Sequence, residues 1–164
     1  MTRSRRPARK EIGAPAKAPE QGSLGPVLEF MRLLWAVDHG LTSISKKMDR
    51  TLGVTGPQRL VVRLVGRRPG ISAGLLAETL HVHPSTLTGV LKRLTEREIL
   101  ERRPDPADSR RALFRLTRKG AQLDRLRAGT VEERVRAALA RLPDEDLAAT
   151  GRVLEHLARS LGQR

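Results

Sequence analysis

A short helical pattern that begins at Pro84 carries side chains suited to contacting DNA. Leu87, Val90 or Leu91, and Leu94 recur at helical spacing and are expected to be buried, which leaves the opposite face polar. The predicted DNA contacts on that face are Ser85, Thr86, Thr88, Lys92 and Arg93. The small hydroxyl side chains come first and can reach base edges, whereas the cations that follow suit phosphate oxygens. The pattern predicts a helix whose N-terminal half enters a major groove.

A basic segment follows, in which two strand-like runs flank a turn rich in proline and aspartate. The runs are 99–103 and 112–116, and the turn covers residues 104–111. Between residues 97 and 119 there are eight cations and four carboxylates, an excess that predicts phosphate contacts. Arg103 and Arg111 are expected to contact phosphates. Asp108 is expected to shape the turn through backbone N–H groups or to orient a neighbouring arginine.

The elements before this segment complete a recognisable order. Leu75, Leu76, Ala77 and Leu80 form the apolar face of a short helix, and His81-Val82-His83 forms a tight polar break before Pro84. A scaffold helix with the apolar set Leu60, Val61, Leu64 and Val65 precedes both. Two helices joined by a turn and followed by two strands with a basic loop describe a winged helix.

At these residues the chain resembles the MarR family of bacterial transcription regulators, over roughly residues 27–161. The wing motif Asp108-Ser109-Arg110-Arg111 and the following Leu116-Thr117-Arg118-Lys119-Gly120 are the most specific part, and Pro84-Ser85-Thr86 opens the recognition helix as it often does in the family. One departure is Glu98, where the family usually has glycine. Because glycine adopts the left-handed cap most cheaply, this helix is expected to end with another geometry.

The resemblance implies an assembly, a wing contact and a ligand site. In the family, terminal helices interlock into a dimer, and the arginine that corresponds to Arg110 reaches from the wing tip into the minor groove. A long planar cation suits the negative potential of a narrow groove. Many relatives bind small anionic aromatic compounds between the dimer helices and the DNA-binding lobe. The candidate lining residues by position are Trp35, Asp38, His39 and Arg63, for which a packing or surface role is the alternative.

The terminal segments have the periodicity expected of paired helices. An a/d pattern over three heptads is formed by Val27, Phe30, Leu34, Val37, Leu41, Ile44 and Met48. Ordinary core packing is the alternative. After the wing, Thr117 is expected to cap a helix that runs to about Leu142, with a weak point at Gly129. A last helix follows Pro143, and its predicted buried face is Leu147, Leu154, Leu157 and Leu161. The predicted dimer contacts are Val27, Phe30, Leu34, Val37, Leu41, Leu147, Leu154 and Leu157.

Composition limits the possible functions. The 164 residues carry a net charge of +14 with only 2% aromatic residues, so polyanionic partners are expected, and base stacking on single-stranded RNA is disfavoured. The absence of cysteine excludes thiol redox sensing, including the peroxide-sensing mode of some relatives. His39, His81, His83 and His156 show no recognisable metal-ligand spacing, and no catalytic motif is present, so neither a metal, a cofactor nor an enzyme is expected. His83 stands at an N-cap position, where histidine is uncommon, and a phosphate contact is the alternative role.

The sequence therefore predicts a mainly α protein with a small β-wing. Residues 1–22 form a basic tail that is expected to be disordered, either adding nonspecific DNA affinity or only solubilising the chain. Residues 23–164 form the MarR-like domain, with the winged helix-turn-helix over about 54–117 and dimerisation helices over about 26–51 and 118–162. The predicted function is a cytoplasmic homodimeric repressor that binds a pseudo-palindromic operator of double-stranded DNA and responds to a small ligand, without membrane association. A nonspecific architectural DNA-binding protein is the alternative.

Overall fold

A computed structural model describes residues 24–162, so the predicted basic tail lies outside the described residues. Within that range the chain is mainly helical with one small sheet, which confirms the predicted fold class. The helices are α1 Gly25–Leu52, α2 Gly56–Arg67, α3 Ala73–Thr79, α4 Pro84–Glu96, α5 Arg118–Arg125, α6 Val131–Leu139 and α7 Asp144–Gly162. The strands are β1 Ile71–Ser72, β2 Leu100–Pro104 and β3 Ala112–Leu116.

The wing is a three-stranded antiparallel sheet in the order β1-β3-β2. β2 and β3 were both predicted, and they pair from Leu100 opposite Leu116 to Pro104 opposite Ala112. β1 was not predicted, because two residues are too few to show an alternating pattern. It adds Ile71 opposite Phe114, and this pairing joins the start of α3 to the wing.

The hydrophobic core lies between α2, α3, α4, α5 and the sheet, which together form one lobe. Its largest fully buried aliphatic side chains are Leu76, Leu94 and Leu100. As predicted, α4 contributes Leu87, Leu91 and Leu94, while Val90 is only partly buried. The predicted apolar set of α2 needs correction, because Leu60 is 50% exposed and Val62 is buried in its place. The helical phase of α2 is therefore rotated toward Val61, Val62 and Val65.

The helices of the helix-turn-helix both end at a residue in the left-handed conformation that is not glycine. His81 has φ 50° after α3, and Glu98 has φ 58° after α4. The expectation that the α4 end avoids this geometry is therefore wrong. Glu98 N–H donates to the Thr95 carbonyl at 2.9 Å and Ile99 N–H donates to the Leu94 carbonyl at 2.9 Å, which is the Schellman pattern. Burial of Ile99 against the core helps to offset a backbone cost of about 1–2 kcal/mol.

The segment after the wing is two helices, so the prediction of one helix from Thr117 to about Leu142 is wrong. Thr117 does cap α5, through its hydroxyl and the Gly120 N–H. The chain then turns extended at Leu126, takes a positive φ at Gly129 and restarts with Thr130 as the N-cap of α6. The break is stabilised from elsewhere in the chain: the Arg59 guanidinium of α2 binds carbonyl oxygens of the α5 end, at residues 123, 124 and 126.

The terminal helices bury few apolar residues. Of the described residues, α6 and α7 bury none, and α1 buries only Met48. The prediction that α7 has a buried face is therefore wrong for the single chain: Leu147 and Leu157 are half-buried, and Leu154 and Leu161 are exposed. The apolar side chains of the α1 pattern from Val27 to Leu41 are likewise exposed. These stripes have the right periodicity for helix pairing, and their burial requires another surface.

Two compact units divide the chain, residues 1–37 and residues 38–164. The described part of the first is the N-terminal half of α1, whereas the second holds the lobe with α6 and α7. Across residues 24–162, none of the helices combines the length and the apolar character that a membrane span needs.

Candidate nucleic-acid interface

The helix α4 presents the predicted polar face to solvent. Each of the five predicted contacts on this helix, Ser85, Thr86, Thr88, Lys92 and Arg93, is exposed. His83 is the N-cap: its Nδ1 accepts from the Ser85 N–H at 3.3 Å. Of the two roles considered for His83, the structure shows the N-cap, although histidine is an uncommon cap. Pro84 follows at the first helical position, where no N–H is needed.

Hydrogen bonds fix two of the hydroxyl groups on this face. Ser85 Oγ lies 2.8 Å from His83 Nδ1, and Thr88 Oγ1 donates to the Pro84 carbonyl at 2.9 Å. Lys92 lies 3.8 Å from Glu96 in an exposed pair one turn on. Exposed pairs of this kind contribute less than about 1 kcal/mol, so Lys92 can exchange its carboxylate for a phosphate at little cost.

The wing tip is organised by Asp108. Its Oδ1 accepts from the Arg110 backbone N–H at 3.1 Å and from Arg110 Nε at 3.2 Å. Both of the roles predicted for Asp108, shaping the turn and orienting an arginine, are therefore present. The Arg110 side chain is nevertheless 91% exposed, as a residue that reaches away from the protein must be.

The other predicted wing cations, Arg103 and Arg111, are exposed, and each lies close to a carboxylate. Arg111 lies 3.9 Å from Asp105, and Arg103 bonds Glu101 on its own strand at 3.1 Å. A cleft of about 920 Å³ separates the wing from α3 and α4. Its lining brings Arg110 and Arg111 of the wing to the same surface as Thr88 and Lys92 of the helix. The structure thus assembles predicted contacts from both elements around one cleft.

Two residues of the family-like run from Leu116 to Gly120 hold this surface in place through contacts that the sequence did not predict. Lys119 Nζ donates to the Arg97 carbonyl at 2.8 Å, so this cation secures the end of α4. A Cβ at Gly120 would overlap the backbone carbonyl of Ile99, so only glycine fits where α5 crosses the start of β2. The family-like run from Leu116 to Gly120 contained the signal for this close approach, although not its geometry. Arg102 of β2 also lines the cleft.

The four candidate ligand residues are not brought together. Asp38 and Arg63 line one cavity of about 800 Å³, whose wall includes Leu41, Leu60 and Val90. Trp35 and His39 are exposed and do not line it.

Arg59 and Arg63 form an ion-pair network along the wall of this cavity. Arg59, only 1% exposed, bonds Glu132 at 2.7 Å, and Arg63 bonds Asp124 at 2.7 Å. Burial of the Glu132 carboxyl raises its pKa, but hydrogen bonds from its own backbone and from Arg59, with the Arg59 charge, outweigh burial and hold the pKa below the usual value. Arg59 was missed because an arginine in a basic helix gives no sign that it is buried.

No group of three or more histidine or acidic side chains in residues 24–162 could hold a metal ion.

Comparison with known proteins connects this geometry to a family. Residues 52–111, from the end of α1 through the wing loop, match the model of the MarR family. Over these residues the chain is similar to the MarR family. It is 31% identical over 91 residues to the organic hydroperoxide resistance transcriptional regulator of Bacillus subtilis, covering 56% of this chain and 62% of that one. It is 36% identical over 70 residues to the transcriptional regulator HosA of Escherichia coli O111:H-, covering 43% and 52%.

These alignments span less than two thirds of either relative's length. A solved structure shows that the fold is similar over most of the chain. It is the S. aureus MepR–DNA complex, with a TM-score of 0.67 and 19% identity, covering 80% of this chain and 97% of that one. The winged helix-turn-helix with helices at both ends is therefore the MarR fold.

Proposed function

We propose that this protein is a sequence-specific DNA-binding transcriptional regulator of the MarR type that acts as a homodimer. The observation that carries the proposal is the cleft where Thr88 and Lys92 of α4 face Arg110 and Arg111 of the wing. Hydroxyl groups that can reach base edges and cations that can reach phosphates thus share one exposed surface. The S. aureus MepR structure, solved with DNA, supports the same use of the fold.

The exposed stripes of the terminal helices support the homodimer. Val27, Phe30 and Leu34 of α1 and Leu154 of α7 are all at least 38% exposed, which is costly for aliphatic and aromatic side chains at helical spacing. A second copy of the chain would cover them and present a second winged helix. Two-fold symmetry then predicts a pseudo-palindromic operator with half-sites about one helical turn, ~10 bp, apart.

We further propose repression that a small anionic aromatic ligand relieves. The cavity of about 800 Å³ supports a ligand, because it combines apolar walls with Arg63 and with Thr86 and Val90 of the recognition helix. A molecule bound there would contact α4 directly and could change how the helix is presented to DNA. Arg59 and Arg63 are already paired with carboxylates, so an anionic ligand would have to compete with Glu132 and Asp124. The hydroperoxide response named for the B. subtilis relative is not proposed as thiol chemistry, because this sequence has no cysteine.

A nonspecific architectural DNA-binding protein is the second candidate, and the net charge of +14 favours it. A fluorescence anisotropy titration separates the two. The full chain is titrated with the duplex from upstream of its own gene and with a scrambled duplex, each at two salt concentrations. A preference of ~10³-fold or more that persists at the higher salt is expected for a specific regulator. Equal affinities that fall steeply with salt would favour the architectural protein or an operator elsewhere, which selection from random duplexes then decides.

Arg110→Ala tests the wing. Loss of a groove-reading arginine should weaken specific binding by about 1–3 kcal/mol, whereas an exposed cation removed elsewhere changes only the overall charge. The matched control is Arg141→Ala, in the turn between α6 and α7. Both variants are titrated against the preferred duplex. Equal, small losses for the two variants would remove the wing from the specific interface.

A further inference from the structure

The hydroxyl groups of Ser85 and Thr88 lie one turn apart on the exposed face of α4. A serine or threonine hydroxyl has one proton to donate and lone pairs that accept. What such a group can recognise in a DNA groove therefore depends on whether its proton is already used within the protein.

The proton of Ser85 is held by His83. The Ser85 backbone N–H lies 3.3 Å from His83 Nδ1, and a backbone N–H can only donate. His83 Nδ1 must therefore present a lone pair, so the imidazole proton is on Nε2. Ser85 Oγ lies 2.8 Å from the same Nδ1, and across this contact the hydroxyl can only be the donor. The Ser85 oxygen then presents only lone pairs to the solvent.

The hydroxyl proton of Thr88 is also used within the protein, but by a different acceptor. Its Oγ1 donates to the backbone carbonyl of Pro84 at 2.9 Å, and a carbonyl oxygen can only accept. Thr88 therefore also presents lone pairs, together with its methyl group. Thr86 lies between the two in sequence, and its hydroxyl has no intramolecular partner among the contacts of residues 24–162. Unlike Ser85 and Thr88, Thr86 therefore keeps a proton that it can donate.

We propose that Ser85 and Thr88 read exocyclic amino groups, and that His83 is the positioning residue that fixes this preference for Ser85. The inference rests on the proposed DNA-binding function. In the major groove, adenine N6 and cytosine N4 donate, whereas guanine N7 and O6 and thymine O4 accept. A hydroxyl that presents only lone pairs binds the first pair of bases and repels the second. The bases contacted on the strand facing Ser85 and Thr88 are adenine or cytosine.

The test is selection by the full chain from duplexes with a randomised central segment, followed by sequencing of the bound fraction. Ser85→Ala should abolish the preference at one position in each half-site. Every base pair presents one amino group in the major groove, at adenine N6 or cytosine N4, so removal of that group decides whether Ser85 reads it. In a duplex of the selected sequence, replacing a contacted adenine by purine removes only the N6 amino group. Affinity should fall ~10-fold for the wild type and remain unchanged for Ser85→Ala.

His83 is tested with a pair of variants. His83→Asn keeps an acceptor for the Ser85 N–H and hydroxyl, since asparagine is a strong N-cap, and should retain the preference. His83→Ala releases the Ser85 proton and should make guanine and thymine acceptable at that position. The Thr86→Ala variant controls for loss of a hydroxyl whose proton is free, and should not alter the position that Ser85→Ala alters.

The outcomes separate the inference from the proposed function. Selection that yields a defined operator overturns the inference, and leaves the regulator intact, if Ser85→Ala changes no position. The same holds if removing the exocyclic amino group at the position it changes leaves the wild-type affinity unchanged. A loss of preference in His83→Asn equal to that in His83→Ala removes His83 as the positioning residue. Selection that enriches no sequence overturns both the inference and the proposed specificity.

Discussion

Fourteen apolar residues between Val54 and Leu123 are buried in one cluster, whereas α6 and α7 bury none. The lobe therefore gains its hydrophobic stabilisation within one chain. The apolar stripes of the terminal helices remain in contact with water unless a second surface covers them. The stability of the lobe should therefore be independent of protein concentration. The stability of the proposed dimer helices should increase with protein concentration.

The largest expected effect is on the terminal helices. Replacing both Leu34 and Leu41 by Asp places two charges in the proposed seam, where burial of an unpaired carboxylate is prohibitive, so the dimer should dissociate throughout the micromolar range. Sedimentation velocity checks the mass. The control replaces Arg32 and Lys46, which are exposed on the same helix, by Gln. A dimer that survives the aspartates would place the interface elsewhere.

Arg59→Ala should have the next largest effect, because Arg59 joins the lobe to the start of α6. Its loss leaves Glu132 without its closest cation and removes a donor from the carbonyl groups at the end of α5, a cost of about 3–5 kcal/mol. Urea unfolding measures the change. Arg63→Ala is the matched control, since Arg63 is 19% exposed and should cost clearly less. Equal losses would mean that burial of Arg59 is not what stabilises the break.

A pair of leucine substitutions distinguishes the lobe from the terminal helices. Leu94 is fully buried and Leu154 is 46% exposed. Leu94→Ala should cost about 2–5 kcal/mol at every protein concentration, because it leaves a cavity within one chain. Leu154→Ala should instead weaken association, so its effect on thermal unfolding should be small in dilute protein and should grow to a plateau as the protein is concentrated. Identical concentration dependence for the two variants would contradict two separate sources of stability.

The smallest expected effect is the acid dependence contributed by Glu132. Its pKa in the folded protein lies below the ordinary 4.5, so the unfolded chain takes up this proton first as the pH falls. The stabilisation by Glu132 should be fully present above about pH 4.5 and should be lost as the pH drops through the folded pKa. Glu132→Gln should therefore differ from the wild type at pH 7 and approach it in acid, as followed by urea unfolding. Glu155→Gln, in an exposed pair, is the matched control.

Local signals predicted the lobe well. The strand bounds of the wing, the start of α4 at Pro84 and its buried leucines follow from alternation, helical spacing and the fixed φ of proline. What the sequence reasoning missed depends on contacts between distant residues. Arg59 stabilises the interruption after α5 from 64 positions earlier in the chain, so a continuous leucine pattern was misread as one helix.

The geometry at the end of α4 and the lining of the cavity also depend on contacts that local sequence patterns do not reveal. Glu98 accepts a left-handed conformation because Ile99 is anchored in the core, and propensity alone argues against it. Asp38 and Arg63 meet at one cavity while Trp35 and His39 do not line it, since position along a helix does not fix which face turns inward. The proposed DNA contacts are exposed, except for the half-buried Asp108, and their role on DNA stays a prediction.

The hydrogen bond from Lys119 to the Arg97 carbonyl should lower the number of counterions that the protein releases when it binds DNA. Each phosphate that a cation neutralises releases counterions, and the slope of log affinity against log salt counts them. Lys119 already bonds the end of α4, and Arg110 already lies beside the Asp108 carboxylate. The eight cations between residues 97 and 119 should therefore release fewer ions per subunit than their number implies. A shallower slope lets the protein keep more of its affinity as the ionic strength of the surrounding solution rises.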